Sequence, residues 1–166
     1  AAHLALSAQL SDHSLARTYE CPALGNFRED SGTIDAPIGR HHIDRKKMTV
    51  TAHNSRHAVT HWKVIARYNG VTHLRCHLET GRTHQIRLHL SAHGFPVLCD
   101  PLYGRGVARL GSVRDEDLLD FLRSHDGQML HAELLEFRHP TTGETMRFKS
   151  RLPDDMLELK EILENA

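Results

Sequence analysis

The sequence predicts an α+β fold built around antiparallel strands, and three observations predict it. Two strand-like runs flank Asn69-Gly70, and two more flank the turn-forming stretch HPTTGE at residues 139–144. The chain carries no internal repeat and no low-complexity tract, which excludes a solenoid or an array of small units.

Each element has a local reason. Residues 1–11 set Leu4, Leu6 and Leu10 among alanine and polar residues, and Ser11-Asp12 break that pattern, as at the end of a helix entering a turn. Residues 15–24 read as a strand in which Pro22, lacking an N–H, restricts pairing to an edge or to the strand's end. From Gly25 to His57 periodicity is weak, and GTIDAPIGR (32–40) reads as a turn leading into a basic loop or irregular hairpin. Residues 58–68 and 71–78 are strands joined by Asn69-Gly70, two residues that tolerate the positive φ of a type I′ turn. The stretch ETGRTHQIRLHLSAHG then gives a turn at Gly81 and a short helix over 83–93 closed by Gly94. On that helix Ile86 and Leu90 face the core, while Thr83 and Arg87 share a neighbouring stripe. Residues 95–106 form an apolar run and a rigid loop around Pro101 and Gly104. An acidic amphipathic helix follows over 114–125, with Leu118, Leu119 and Leu122 inward. The second hairpin spans 129–137 and 144–150, and a terminal helix over 154–165 starts at Pro153.

A length of 166 residues suits one domain, and 39% hydrophobic residues suffice for a core, which excludes a disordered tail. No apolar run reaches the roughly 18–20 residues of a membrane helix, and residues 1–14 lack a signal peptide's basic and apolar regions, so a cytoplasmic protein without a membrane partner is expected. Cys21, Cys76 and Cys99 are odd in number and far apart, which favours reduced, packed thiols over a disulfide framework or zinc ribbon.

The formal net charge is zero, yet residues 40–99 hold ten basic residues against two acids, Asp44 and Glu79. Such a stretch attracts a polyanion and supplies phosphate contacts; the alternative is a solvated face paired with the acidic flanks. Ten of the 15 histidines also fall there, so mild acid is expected to make it more cationic. A metal centre is the competing use of histidine, and His84, His89 and His93 have ligand-like spacing, but no glutamate base accompanies them and no third ligand stands at a typical interval. No metal is therefore expected. Nucleophile-elbow, phosphate-loop and dinucleotide fingerprints are all missing.

The run LETGRTHQIRLH (78–89), followed by CDPLYG (99–104), closely resembles the signature of the RluA-like pseudouridine synthases, which convert uridine to pseudouridine in ribosomal or transfer RNA. GTIDAPIGRHHIDRKKM, AVTHWKVIARY, HAELLEFRHPTTGETMRF and LPDDMLELKEIL resemble the same family in the same order, nearest to members acting on large-subunit ribosomal RNA. The resemblance implies a mixed, mostly antiparallel sheet without its first strands, residues 1–166 being the C-terminal portion of one catalytic domain. It also implies cofactor-free chemistry, in which a carboxylate acts at the ribose C1′ and the detached uracil turns and rejoins through C5; a monomer is expected. The target base has to leave its stack, which calls for an aromatic or apolar pocket. Tyr19 matches the family tyrosine that stacks on that base and helps remove its C5 proton; read without the family, it is a core tyrosine on a strand. Arg87 matches the arginine that pairs with the catalytic aspartate, favouring its ionised form and fixing its orientation; read without the family, it is a helix-surface arginine. Arg40, Arg45, Lys46 and Lys47, with Arg82 and His84 in the signature run, are the candidate RNA contacts.

One departure outweighs the matches. The family's nucleophile stands in a His-Arg-Leu-Asp motif, and none of the aspartates here has those neighbours; Asp100 belongs to the separate Asp-Pro-Leu-Tyr-Gly element. The nucleophile is expected upstream of Ala1, leaving these residues inactive alone. A non-catalytic binder of structured RNA is the alternative.

Overall fold

The computed structural model describes residues 1–104 and 115–166. Along the chain run α1 (Ala2–Ser11), β1 (Ala16–Leu24), β2 (Ser31–Asp35), β3 (Ile38–Arg40), β4 (Met48–Val50), β5 (Ser55–Arg56) and β6 (Val59–Tyr68). Then follow β7 (Val71–Leu78), α2 (Gln85–Ala92), α3 (Glu116–Ser124), β8 (His131–Arg138), β9 (Thr145–Lys149) and α4 (Asp154–Asn165). The main sheet has the order β2-β6-β7-β1-β8-β9 and a smaller one the order β4-β3-β5. Every strand pairing among the described residues is antiparallel, and the class is α+β as the sequence predicts.

β1 lies inside the sheet despite Pro22. It pairs with β7 from Thr18 to Leu24, but with β8 only from Ala16 to Glu20. A strand residue's N–H and C=O point the same way, and the Pro22 carbonyl accepts from Leu98 N at 3.0 Å. The missing donor therefore falls where β8 has ended and residues 96–98 have replaced it.

Two local expectations need correction. The segment 32–40 is not a turn: residues 31–35 form an edge strand on β6, and Ile38–Arg40 form the centre of the small sheet. Ile34 and Ile38 are both buried, but with Pro37 between them the alternation on either side is too short to read from sequence. The β6–β7 turn is not type I′ either, since of its two central residues only Gly70 has positive φ (+82°). Its conformation serves a tertiary contact: Gly70 N donates to Asn26 Oδ1 at 3.2 Å, and Gly70 O accepts from Gly25 N at 2.7 Å.

α2 is shorter than the expected 83–93, because His84 caps it in the left-handed region and leaves Thr83 outside the helix. It runs between the two sheets. Ile86 and Leu90 join Leu74 and Cys76 in the main core, whereas Leu88 packs with Ile38, Ala58 and Tyr103 beneath the small sheet. Its polar residues are consequently buried and bonded. Gln85 donates to Val59 O and accepts from Thr80 Oγ1, and both ring nitrogens of His89 are engaged, with Thr60 Oγ1 and Ala36 O.

Elsewhere α3 and α4 add Leu118, Phe121, Met156, Leu159 and Leu163 to the main core. Asp115 caps α3 by accepting from Leu118 N at 2.8 Å. Arg114, the expected start of that helix, and residues 105–106 of the expected rigid loop lie outside the described residues. α1 buries no residue and is tied to β8 through Gln9, which bonds both backbone groups of Arg138. The three cysteines are free, and burial pushes the Cys99 thiol up to about 11. No helix among the described residues is long and apolar enough to cross a membrane.

Candidate functional site

Arg87 stands in the middle of α2, 7% exposed, and meets an equally buried carboxylate. Its Nε donates to Asp100 Oδ2 at 2.8 Å and its Nη2 to Asp100 Oδ1 at 2.7 Å, a two-pronged fork between groups 7% and 4% exposed. Oδ1 also accepts from Leu102 N at 2.9 Å and Tyr103 N at 3.1 Å. Burial raises the Asp100 pKa, but hydrogen bonds from Arg87 and from the Tyr103 and Leu102 amides, with the guanidinium charge, outweigh it and hold the carboxyl below its ordinary value. With its side chain fully buried and four hydrogen bonds on it, three at Oδ1 and one at Oδ2, this carboxylate presents no open face to a substrate, so Asp100 is a structural partner and not a nucleophile. The surface reading of Arg87 is overturned, because a helix enclosed by two sheets has no solvent face at that position. Its Nη1 makes no hydrogen bond among the described residues.

Asp100 also organises Tyr103, to which the sequence assigned no role. The Tyr103 hydroxyl accepts from Met48 N at 2.8 Å, which leaves its own proton for His84 Nδ1, 3.0 Å away. The ring lies 5.2 Å from the Arg87 guanidinium carbon, and the Tyr103 carbonyl accepts from Ser91 Oγ at 2.7 Å. One side chain thus ties β4, the N-terminus of α2 and the arginine together. Removing the hydroxyl in Tyr103→Phe leaves the Met48 N–H without its acceptor; the expected loss is about 1–3 kcal/mol of stability, read by chemical unfolding, with faster hydrogen exchange at the Met48 amide.

His84 is a different kind of candidate than the sequence implies. Burial, and then the nearby Arg87 charge, lower its pKa, so at neutral pH it offers an uncharged ring. Burial lowers His73, His77 and His89 as well, so part of the histidine-rich segment resists the extra charge expected in mild acid.

Tyr19 lies on β1 opposite Cys76 of β7 and Ala132 of β8, half-buried against the main core on the side where α2 packs. Its hydroxyl has no hydrogen-bond partner among the described residues. Arg40, Arg45 and Lys46 are exposed on and beyond the end of β3, in the loop that returns as β4. Lys47 is partly drawn back towards Asp44 at 3.9 Å, His41 and His42 stack with ring centres 5.0 Å apart, and Ile43 is 77% exposed at the tip. Arg82 stands apart from this loop, its Nε donating to His57 O at 2.9 Å. The six candidate RNA contacts therefore form a protruding basic hairpin and a separate group at the start of α2. The roles of Asp100 and Tyr103 were missed although their motif was read, because both depend on partners far along the chain. Among the described residues, no three or more His, Cys, Asp or Glu side chains converge to hold a metal ion.

Comparison with known proteins places this arrangement. A family model described as RNA pseudouridylate synthase matches residues 1–92. The chain is 46% identical over 162 residues to the ribosomal large subunit pseudouridine synthase D of Pseudomonas aeruginosa, with 98% of this chain and 50% of that protein covered. It is 45% identical over 162 residues to the uncharacterized RNA pseudouridine synthase YlyB of Bacillus subtilis, with 98% and 48% covered. The solved structure of human RNA pseudouridylate synthase domain containing 1 superposes with a TM-score of 0.73 at 27% identity, over 95% of this chain and 62% of that one. The chain spans about half the length of the curated relatives it matches. With its signature run and these likenesses in agreement, the chain belongs to the RNA pseudouridylate synthase family, among its RluA-like members.

Proposed function

We propose that this chain is part of a cofactor-free RNA pseudouridine synthase that isomerises uridine in ribosomal RNA of the large subunit, in the cytoplasm. The observation that carries the reading is 46% identity, over nearly the whole chain, to a protein named for that reaction. In this reading Tyr19 stacks on the flipped uracil and assists at C5, while Nη1 of Arg87, its fork already held by Asp100, orients the nucleophilic carboxylate. That carboxylate is not among these residues, because no aspartate here stands in a His-Arg-Leu-Asp motif. Covalent chemistry at C1′ cannot proceed without it, so the 166 residues alone are inactive. The exposed Arg40, Arg45 and Lys46, with Lys47, Arg82 and the neutral His84, hold the RNA and make its binding salt-dependent.

Tritium release from RNA carrying 5-tritiated uridine tests this, comparing the 166 residues with a chain that carries a His-Arg-Leu-Asp segment ahead of Ala1. Release by the longer chain only is the expected result. Release by neither, with RNA still bound, leaves the non-catalytic RNA binder as the function.

A further inference from the structure

Among the described residues Arg17 is a cation without a counter-charge, and what surrounds it forms a site distinct from the Arg87–Asp100 pair and from the basic hairpin. Its guanidinium lies against Gly81: a Cβ built there would come within 2.2 Å of Arg17 Nη1 and 3.0 Å of both Cζ and Nη2. Gly81 does not need a positive φ; it is glycine so that the guanidinium can lie this close. Arg17 Nε is buried with no hydrogen-bond partner, and Arg17 forms no ion pair among the described residues. With Nε shut off, its charge can be balanced only from the open side.

That side is a cleft of about 430 Å³ whose lining includes His13, Arg17, His57, Gly81 and Arg82 and, among the described residues, contains no carboxylate. Among the described residues the Arg82 side chain commits only Nε, to the His57 carbonyl, and His13 only Nδ1, to the Glu79 carbonyl, so each has further nitrogen groups to offer a ligand. His57 is itself partly satisfied by Asp35 at 3.1 Å. The position of the cleft matters as much as its charge. The bulge between β1 and β8 comes from an extra residue on β8, so β1 keeps its alternation and Arg17 shares a face with Tyr19. Residues i and i+2 of a strand stand roughly 7 Å apart, the span between a nucleotide's base and its own phosphate.

We propose that the cleft formed by Arg17, Arg82 and His13 over Gly81 is a phosphate subsite for the RNA strand, gripping the backbone beside the nucleotide whose base meets Tyr19. This rests on the RNA-modifying reading above, and extends it from the exposed basic loop and the lone Arg82 to a built pocket centred on Arg17.

The test is binding of a fluorescent single-stranded oligouridylate across a salt series, with Arg17→Gln, Arg17→Lys, Gly81→Ala and Lys46→Gln compared with the unaltered chain. Arg17→Gln is expected to weaken binding roughly five- to tenfold at low salt and to reduce the steepness of log affinity against log salt by about 0.7, one phosphate contact on a single strand. Arg17→Lys should keep the slope. Gly81→Ala leaves the charge unaltered but drives the guanidinium from its seat, so the same loss is expected from a variant that does not remove the arginine. A wild-type slope and affinity in both Arg17→Gln and Gly81→Ala, with Lys46→Gln weakened, overturns the subsite and leaves the RNA reading standing. No binding of the oligouridylate by the unaltered chain overturns both.

Discussion

Asp100→Ala is expected to lower the folding free energy by about 3–5 kcal/mol, a large share of a small domain's stability. The loss does not measure how much the ion pair contributes; it arises because Arg87, 7% exposed and enclosed between two sheets, is left charged without a partner. Leu102 N and Tyr103 N lose their acceptor in the same step. Urea unfolding followed through Trp62, the one tryptophan, which packs edge-on to Phe27, measures the change. The pH dependence has a definite sign. Asp100 has a folded-state pKa below its ordinary value, so its contribution is complete above the unfolded pKa of about 3.9 and disappears as pH falls through the lower folded value. The gap between the native chain and Asp100→Ala should hold from neutral pH down to about 4 and narrow below it. A loss under about 1 kcal/mol at neutral pH would mean that water reaches the Arg87 charge, against the burial described.

Tyr19→Phe, made in a chain that also carries the nucleophilic aspartate, is expected to lower tritium release about 10²- to 10⁴-fold, the range of a positioned proton-transfer group. Phenylalanine keeps the ring that stacks on a base and removes only the hydroxyl, so affinity for the same RNA should change less than twofold. This split between rate and binding separates the proton role from the core-tyrosine reading, in which both activity and affinity would be nearly unchanged. An unchanged rate in Tyr19→Phe, with a large loss in Tyr19→Ala, would reduce the residue to a stacking platform.

Much of the architecture was legible in the residues themselves. The hairpin around Asn69-Gly70, the second hairpin across residues 139–144 and the terminal helix at Asp154–Asn165 stand where alternation, the turn-forming residues and Pro153 put them, although the first turn is not of the expected type. These signals are local: a strand's period of two and a turn's demand for glycine are satisfied by neighbours along the chain. The edge strand at Ser31–Asp35 was not legible, because an edge strand of five residues acquires its structure by pairing with β6 and carries little alternation of its own.

The sequence by itself determined the class, the order of the main hairpins, the family signature and the identity of Tyr19 and Arg87 as candidates. Only the tertiary structure decided what those candidates touch. Arg87 is fork-bonded to a carboxylate 13 positions away, the Tyr103 hydroxyl meets the Met48 amide across 55 positions, and Arg17 lies on Gly81. The physical reason is that burial and long-range partners are properties of the packed layers. An arginine in an amphipathic-looking helix reads as solvent-facing until a second sheet covers it, and a glycine reads as a turn until a guanidinium from another strand comes to rest against it.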